Sequence, residues 1–137
     1  MTTLAVVNAI RDRFVAQVAT PQALLIVQDN DPDQGELGAK WCRVRIEFDL
    51  PQQVSTAPAR FRTRGRLLVH LHAAGVASGD AATLSLFDAI VAAFSGVQLA
   101  SPLVRFYRPG LIGSGEASGG WYRRLARVDF YADDVGS

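Results

Sequence analysis

Arg60, Arg62, Arg64 and Arg66 recur at every second position of one segment. In an extended chain that spacing puts their guanidinium groups on one face. Such a ladder repels itself unless water, carboxylates or phosphates face it. Guanidinium is planar and donates bidentate hydrogen bonds, so it suits a carboxylate at a protein interface or a phosphate of DNA. A solvated sheet face with Glu47 or Asp49 as cross-strand partner accounts for the same pattern. His70 and His72 continue the alternation. Two imidazoles on one strand face begin a metal set, but such a site also wants a third ligand and a second shell. Nothing in the sequence places Glu47 or Asp49 beside them, so they read as polar residues on the solvated side of a strand.

Other candidate chemistry is weaker. Asp29, Asp31 and Asp33 have the one-three-five spacing of a calcium loop, but Gln34 stands where that loop needs Gly, and Leu37-Gly38 follows where ligands should come. The segment reads as a solvated surface loop. Gly113-Ser-Gly-Glu-Ala-Ser-Gly-Gly120 looks like a phosphate loop until its context is considered. Phosphate loops need a helix after them, whose N-terminus meets the anion. Here an alternating, strand-like segment follows. There is no Gly-x-Ser-x-Gly elbow. Cys42 is the chain's single cysteine, set among Trp41, Val44 and Ile46, and reads as a small buried hydrophobe. The expectation is a protein that is not an enzyme and needs no metal or cofactor.

The elements that must position these residues follow from periodicity. Val7, Ile10, Phe14 and Val18 form the apolar stripe of a helix over 3–18, ended by Thr20-Pro21. Residues 23–28 read as a short strand. Residues 40–50, 60–73 and 121–132 alternate as half-buried antiparallel strands. Leu84, Phe87, Val91 and Phe94 form the stripe of a second helix over 80–95, capped by Ser78 or Asp80 and closed by Gly96. Residues 101–108 read as a strand; 50–59 and 109–120 read as loops that order against a partner. The fold class is α+β: two helices packed on one face of a mainly antiparallel sheet. Phe14, Val44, Ile46, Leu67, Val69, Phe87, Val91, Phe94 and Val128 are the predicted core.

Composition is consistent with this reading. The 137 residues suit one domain over 1–137, and 49% hydrophobic with 20% charged residues excludes wholesale disorder. A net charge of +1 excludes a strongly basic nucleic-acid binder, though not a local patch. Thirteen of the fourteen basic residues are Arg, a bias that GC-rich coding also produces. Nothing approaches the roughly 18 apolar residues of a membrane span. The first residues lack the basic and long apolar regions of a signal peptide, so the chain is expected to stay in the cytoplasm.

The second half of the chain resembles the tail terminator proteins of long-tailed bacteriophages and related gene transfer agents. The resemblance is carried by Phe61-Arg-Thr-Arg-Gly-Arg-Leu-Leu-Val-His-Leu-His-Ala-Ala-Gly75, by the helix Ala82-Thr-Leu-Ser-Leu-Phe-Asp-Ala-Ile-Val-Ala-Ala-Phe94, and by Pro109 to Arg123 with its Gly-Gly-Trp-Tyr strand start. It implies a structural virion protein. Such proteins form a homo-hexameric ring that caps the tail tube, stops its polymerisation and offers the head-docking surface. The implied partners are other copies of itself, the tail tube protein, the head–tail stopper protein, and genome DNA passing without sequence-specific binding; no membrane is involved. The implied location is the host cytoplasm during assembly, then the head-proximal end of the virion tail. On this reading Arg60, Arg62, Arg64 and Arg66 line a subunit interface or the channel, Trp121 and Tyr122 anchor the ring, and Gly110, Gly113, Gly115 and Gly119 form a partner-contacting loop. The alternatives are a head–tail connector of the same particle and a small nucleic-acid-binding protein using the Arg60–Arg66 ladder.

Overall fold

The N-terminal apolar stripe becomes helix α1 (Thr3–Phe14), which widens into a π-helical turn over Val15–Ala19. That turn ends where Thr20 N–H donates to Val15 O, just ahead of Pro21. The structure is a computed structural model and describes residues 3–27, 40–56, 59–75, 77–100 and 103–135. Strands β1 (Leu25–Ile26), β2 (Lys40–Phe48), β3 (Gln52–Thr56) and β4 (Ala59–Ala74) follow. Helix α2 (Ala77–Phe94) leads to β5 (Gln98–Ala100), β6 (Leu103–Ser118) and β7 (Trp121–Val135). The fold is α+β.

The sheet order is β1-β2-β4-β7-β6-β5, with β3 paired to the start of β4. β1 runs parallel to β2 and every other pairing is antiparallel, so the sheet is mixed. β4 is the spine. It pairs with β2 from Gly65 to Ala73 and with β7 from Arg60 opposite Val135 to Ala74 opposite Trp121. Period-two alternation therefore carries across three strands in register, which sorts their side chains onto two faces.

One set of alternate residues joins the core. Leu67, Val69 and Leu71 of β4, Ala126, Val128 and Phe130 of β7, and Val104 and Phe106 of β6 are buried in one cluster. α1 adds Val6, Ile10 and Phe14, and α2 adds Leu86, Ile90, Ala93 and Phe94. The start of α2 is fixed by a polar network. Arg124 Nε donates to the buried Thr83 hydroxyl at 3.0 Å and its Nη2 bonds the Asp80 carboxylate, while Thr83 donates to Gly79 O. Among the described residues no helix is long and apolar enough to cross a membrane.

Several expectations are corrected. Residues 109–120 are not a loop: β6 continues through them, with register shifts between Phe106 and Arg108 and between Ile112 and Glu116. Only Gly119 and Gly120 turn, both at positive φ, the geometry of a two-residue hairpin that glycine adopts without strain. Residues 52–56, within the expected loop over 50–59, form β3. α2 begins at Ala77, so Ser78 lies inside it and donates to Ala74 O. Its buried stripe is Leu86, Ile90 and Phe94; Phe87 and Val91 are half-buried and Leu84 is exposed. In α1, Val6 takes the place expected of Val7. Val44 and Ile46 pack against the core without being fully buried. The Asp29–Asp33 segment lies outside the described residues.

Candidate functional site

The alternate residues that do not join the core make a polar face, and register sets its rows. In one row Glu47 of β2 faces Arg66 of β4, Arg66 faces Asp129 of β7, and Asp129 faces Arg108 of β6. Charge alternates in sign across four strands. Arg66 also donates to Asp49 at 2.8 Å, and the buried Asp129 carboxylate accepts from Arg127 Nε at 2.6 Å. Toward the hairpin of β3, Arg62 holds Asp133 in a bidentate pair at 2.8 and 3.0 Å and lies 4.0 Å over the Tyr131 ring. The Asp133 hydrogen bond raises the Arg62 pKa above its ordinary value, and that to Asp129 does the same for Arg127.

The other end of this face differs. Trp41 lies opposite His72, and His72 opposite Arg123; one row further in, Arg43 lies opposite His70. Trp41 and His72 stack with centroids 3.8 Å apart and planes 2° from parallel. The Trp121 ring meets Trp41 edge-on at 6.2 Å, and the Arg43 guanidinium is 5.6 Å from the Trp41 centroid. These side chains, with Arg45, His70 and Arg123, line an open concavity of about 520 Å³. Trp41 is only 8% exposed. Its Nε1 and the Nε of Arg43 are buried donors with no hydrogen-bond partner among the described residues. Among the described residues carboxylates approach only at the rim, Glu47 at 3.7 Å from Arg45 and Glu116 at 3.5 Å from Arg123.

The expected solvated histidine pair is thus half-built into a stacked aromatic site. Burial, then the nearby Arg123, His70 and Arg43, lowers the His72 pKa from 6.5 to about 4. In the unfolded chain His72 regains its ordinary affinity for a proton. At this histidine the unfolded state binds more protons between those two values, so its contribution makes stability rise with pH from about 4 to about 6.5 and adds no further change above. Because the ring is half-exposed, solvent screening leaves an effect of about 1–2 kcal/mol. Urea unfolding at pH 4.5 and 7 should show a larger loss for the wild type than for His72→Phe, which keeps the stack without the proton. Equal losses would refute the assignment.

The ladder is split by the fold. Arg62 and Arg66 are tied to carboxylates of their own chain, whereas Arg64 is exposed and makes no ion pair among the described residues. Arg60 pairs with Val135 in the β4–β7 ladder. Trp121 and Tyr122 were expected to act together, but adjacent strand residues point to opposite faces. Trp121 joins the concavity, while Tyr122 turns toward α2, where Gly79 and Gly115 leave room for it and Arg124 lies 5.2 Å from its ring. Gly110, Gly113 and Gly115 sit within β6 and Gly119 in the turn. Trp41, Arg43, Arg45 and Arg123 were not singled out from sequence. Trp41 falls on the polar side of the alternation through Cys42, Val44 and Ile46, the one signal that could have placed it. Cys42 itself is fully buried, which pushes its thiol up to about 12. Among the described residues no group of three or more His, Cys, Asp or Glu side chains is placed to hold a metal.

No protein-family model matches this chain, and no curated protein matches it. Solved structures do. One is similar over 100% of this chain and 99% of its own, at 13% identity and a TM-score of 0.72. At that identity the likeness describes the fold alone.

Proposed function

We propose that this chain is a structural subunit of a tailed phage or gene transfer agent: a tail terminator that closes into a homo-hexameric ring on the tail tube. What supports this reading is that the segments resembling that family become direct neighbours, β4 and β7 side by side with α2 joined to the same core. In this reading α1 and α2 lie together on one sheet face. The observation that carries the assembly step is a pair of open edges. Beyond Arg105 the outer side of β6 has no strand partner among the described residues, and neither has the outer side of β2 beyond Cys42. Open edges are templates for pairing with another chain. A ring needs two different surfaces that meet head to tail, and opposite edges of one sheet supply them.

The nucleic-acid reading draws less support. Glu47, Asp49, Asp129 and Asp133 interrupt the arginine face, and each would repel a phosphate backbone lying across it. Particles assembled without this protein should carry overlong tails and no heads, visible by electron microscopy. Tails of normal length with leaking heads would instead make it a stopper. Arg64 is the ladder residue to test, since Arg62→Glu would break the chain's own pair with Asp133. Arg64→Glu should weaken rings in negative-stain images if the face is intersubunit. Normal rings with impaired DNA retention would put it in the channel, and normal rings with normal infectivity would remove the ladder from the function.

A further inference from the structure

We propose that the concavity between Trp41, Arg43 and Arg123 is a binding site for a compact oxyanion, a single carboxylate or phosphate group. The site is rich in cationic donors, with three arginines in its lining. Arg43 makes no ion pair among the described residues, and Arg45 and Arg123 have only the loose rim contacts with Glu47 and Glu116. Two buried N–H groups, Trp41 Nε1 and Arg43 Nε, have no acceptor among the described residues. Buried donors are nearly always satisfied, and an orphan costs the desolvation of the group. Two such donors in side chains that line the concavity, together with the guanidinium groups of Arg43, Arg45 and Arg123, suit one ligand with several lone pairs and negative charge. A carboxylate or phosphate group has both, and charge-assisted bonds from arginine are the strong ones.

The ligand is compact rather than a strand of nucleic acid, for two reasons. A single strand is held by bases stacking on free aromatic faces. Trp41 offers none: His72 covers it at 3.8 Å and Arg43 lies over it at 5.6 Å. A strand also needs a continuous cationic track, and the rows beyond the concavity carry Glu47 and the buried Asp129. The concavity, at about 520 Å³, is the size of a small-ligand site. The Trp41–His72 stack and the edge-on Trp121 make it a rigid wall. This inference does not depend on ring assembly, and it is tested on the purified chain below the concentration at which any ring forms.

Trp41 and Trp121 are the chain's two tryptophans, so intrinsic fluorescence reports this site without a label. The protein is titrated separately with inorganic phosphate, with an N-acetylated glutamyl dipeptide, and with an oligothymidylate. A saturable emission change with phosphate or with the dipeptide is expected, and which of the two binds tighter identifies the source of the oxyanion. Affinity should fall roughly tenfold or more in Arg43→Gln and in Arg123→Gln, and should not change in Arg64→Gln, on the same face outside the site. Should Arg43→Gln fail to fold by circular dichroism, Arg123→Gln decides, since that side chain is 44% exposed. The proposal is overturned by no saturable change with either small oxyanion up to tens of millimolar. It is also overturned by unchanged affinity in Arg123→Gln, or by the oligonucleotide binding more tightly than both with a steep salt dependence.

Discussion

Phe94→Ala is expected to destabilise the fold by about 3–5 kcal/mol. Phe94 is the last residue of α2 and is fully buried. Its ring meets Phe106 edge-on at 4.9 Å; Phe106 lies 5.9 Å from Phe130, and Phe130 meets Phe48 at 5.7 Å. The four rings run from the end of α2 through β6 and β7 to β2. Removing the first loses its transfer free energy, an aromatic pair worth about 0.5–1.5 kcal/mol, and leaves a cavity its neighbours cannot fill. The change also strips the surface under α1, because Arg13 reaches over the Phe94 ring and donates to Ala93 O at 2.7 Å. Phe87→Ala, on the half-buried side of α2, should cost only about 1–2 kcal/mol. Denaturant unfolding with an unchanged slope separates the two. Equal losses would mean that the helix is rotated from the orientation described.

That rotation is where the sequence was least legible. α2 carries apolar residues nearly all round, with Leu84, Leu86, Phe87, Ile90, Val91 and Phe94 in one turn after another. A stripe read through Phe87 and Val91 is as periodic as the one through Leu86 and Ile90, and only packing chooses. In α1 and the turn after it, the polar residues Asn8, Arg11, Asp12 and Gln17 narrow the choice, so Ile10, Phe14 and Val18 were legible, while the first position fell to Val6 and not Val7. β2, β4 and β7 were legible because one face is mostly polar and the alternation holds over most of each strand, Leu68, Leu125 and Arg124 being exceptions. The first part of β6 was legible as a strand, and its continuation was hidden by Pro109 and the glycines, which read as loop residues. An edge strand tolerates both, because its outer side need not complete a ladder. The concavity depends on register, which brings Trp41, His72 and Arg123 into one row from positions far apart in the chain. Alternation assigns each to a face but cannot say which residues lie opposite.

Gly65→Ala is expected to cost about 3 kcal/mol, at the upper end of overpacking, although it adds a single methyl group in the middle of a strand. Gly65 has no unusual backbone angle, so the demand for glycine is one of space. It lies opposite Phe48 in β2 and opposite Phe130 in β7, on the core side of β4. A Cβ there would overlap the backbone carbonyl oxygen of Glu47 and come within 2.7 Å of the Phe130 ring. The ring can shift by a change of rotamer, but the carbonyl belongs to β2 where it pairs with β4, and moving it disturbs that ladder. Phe130→Leu alone removes ring volume and should destabilise by itself. Combined with Gly65→Ala it should recover part of the loss expected from the sum, a coupling of about 1 kcal/mol between contacting residues. Full recovery would show that the ring alone excludes a side chain at 65. Strict additivity would show that Phe130 does not occupy that space.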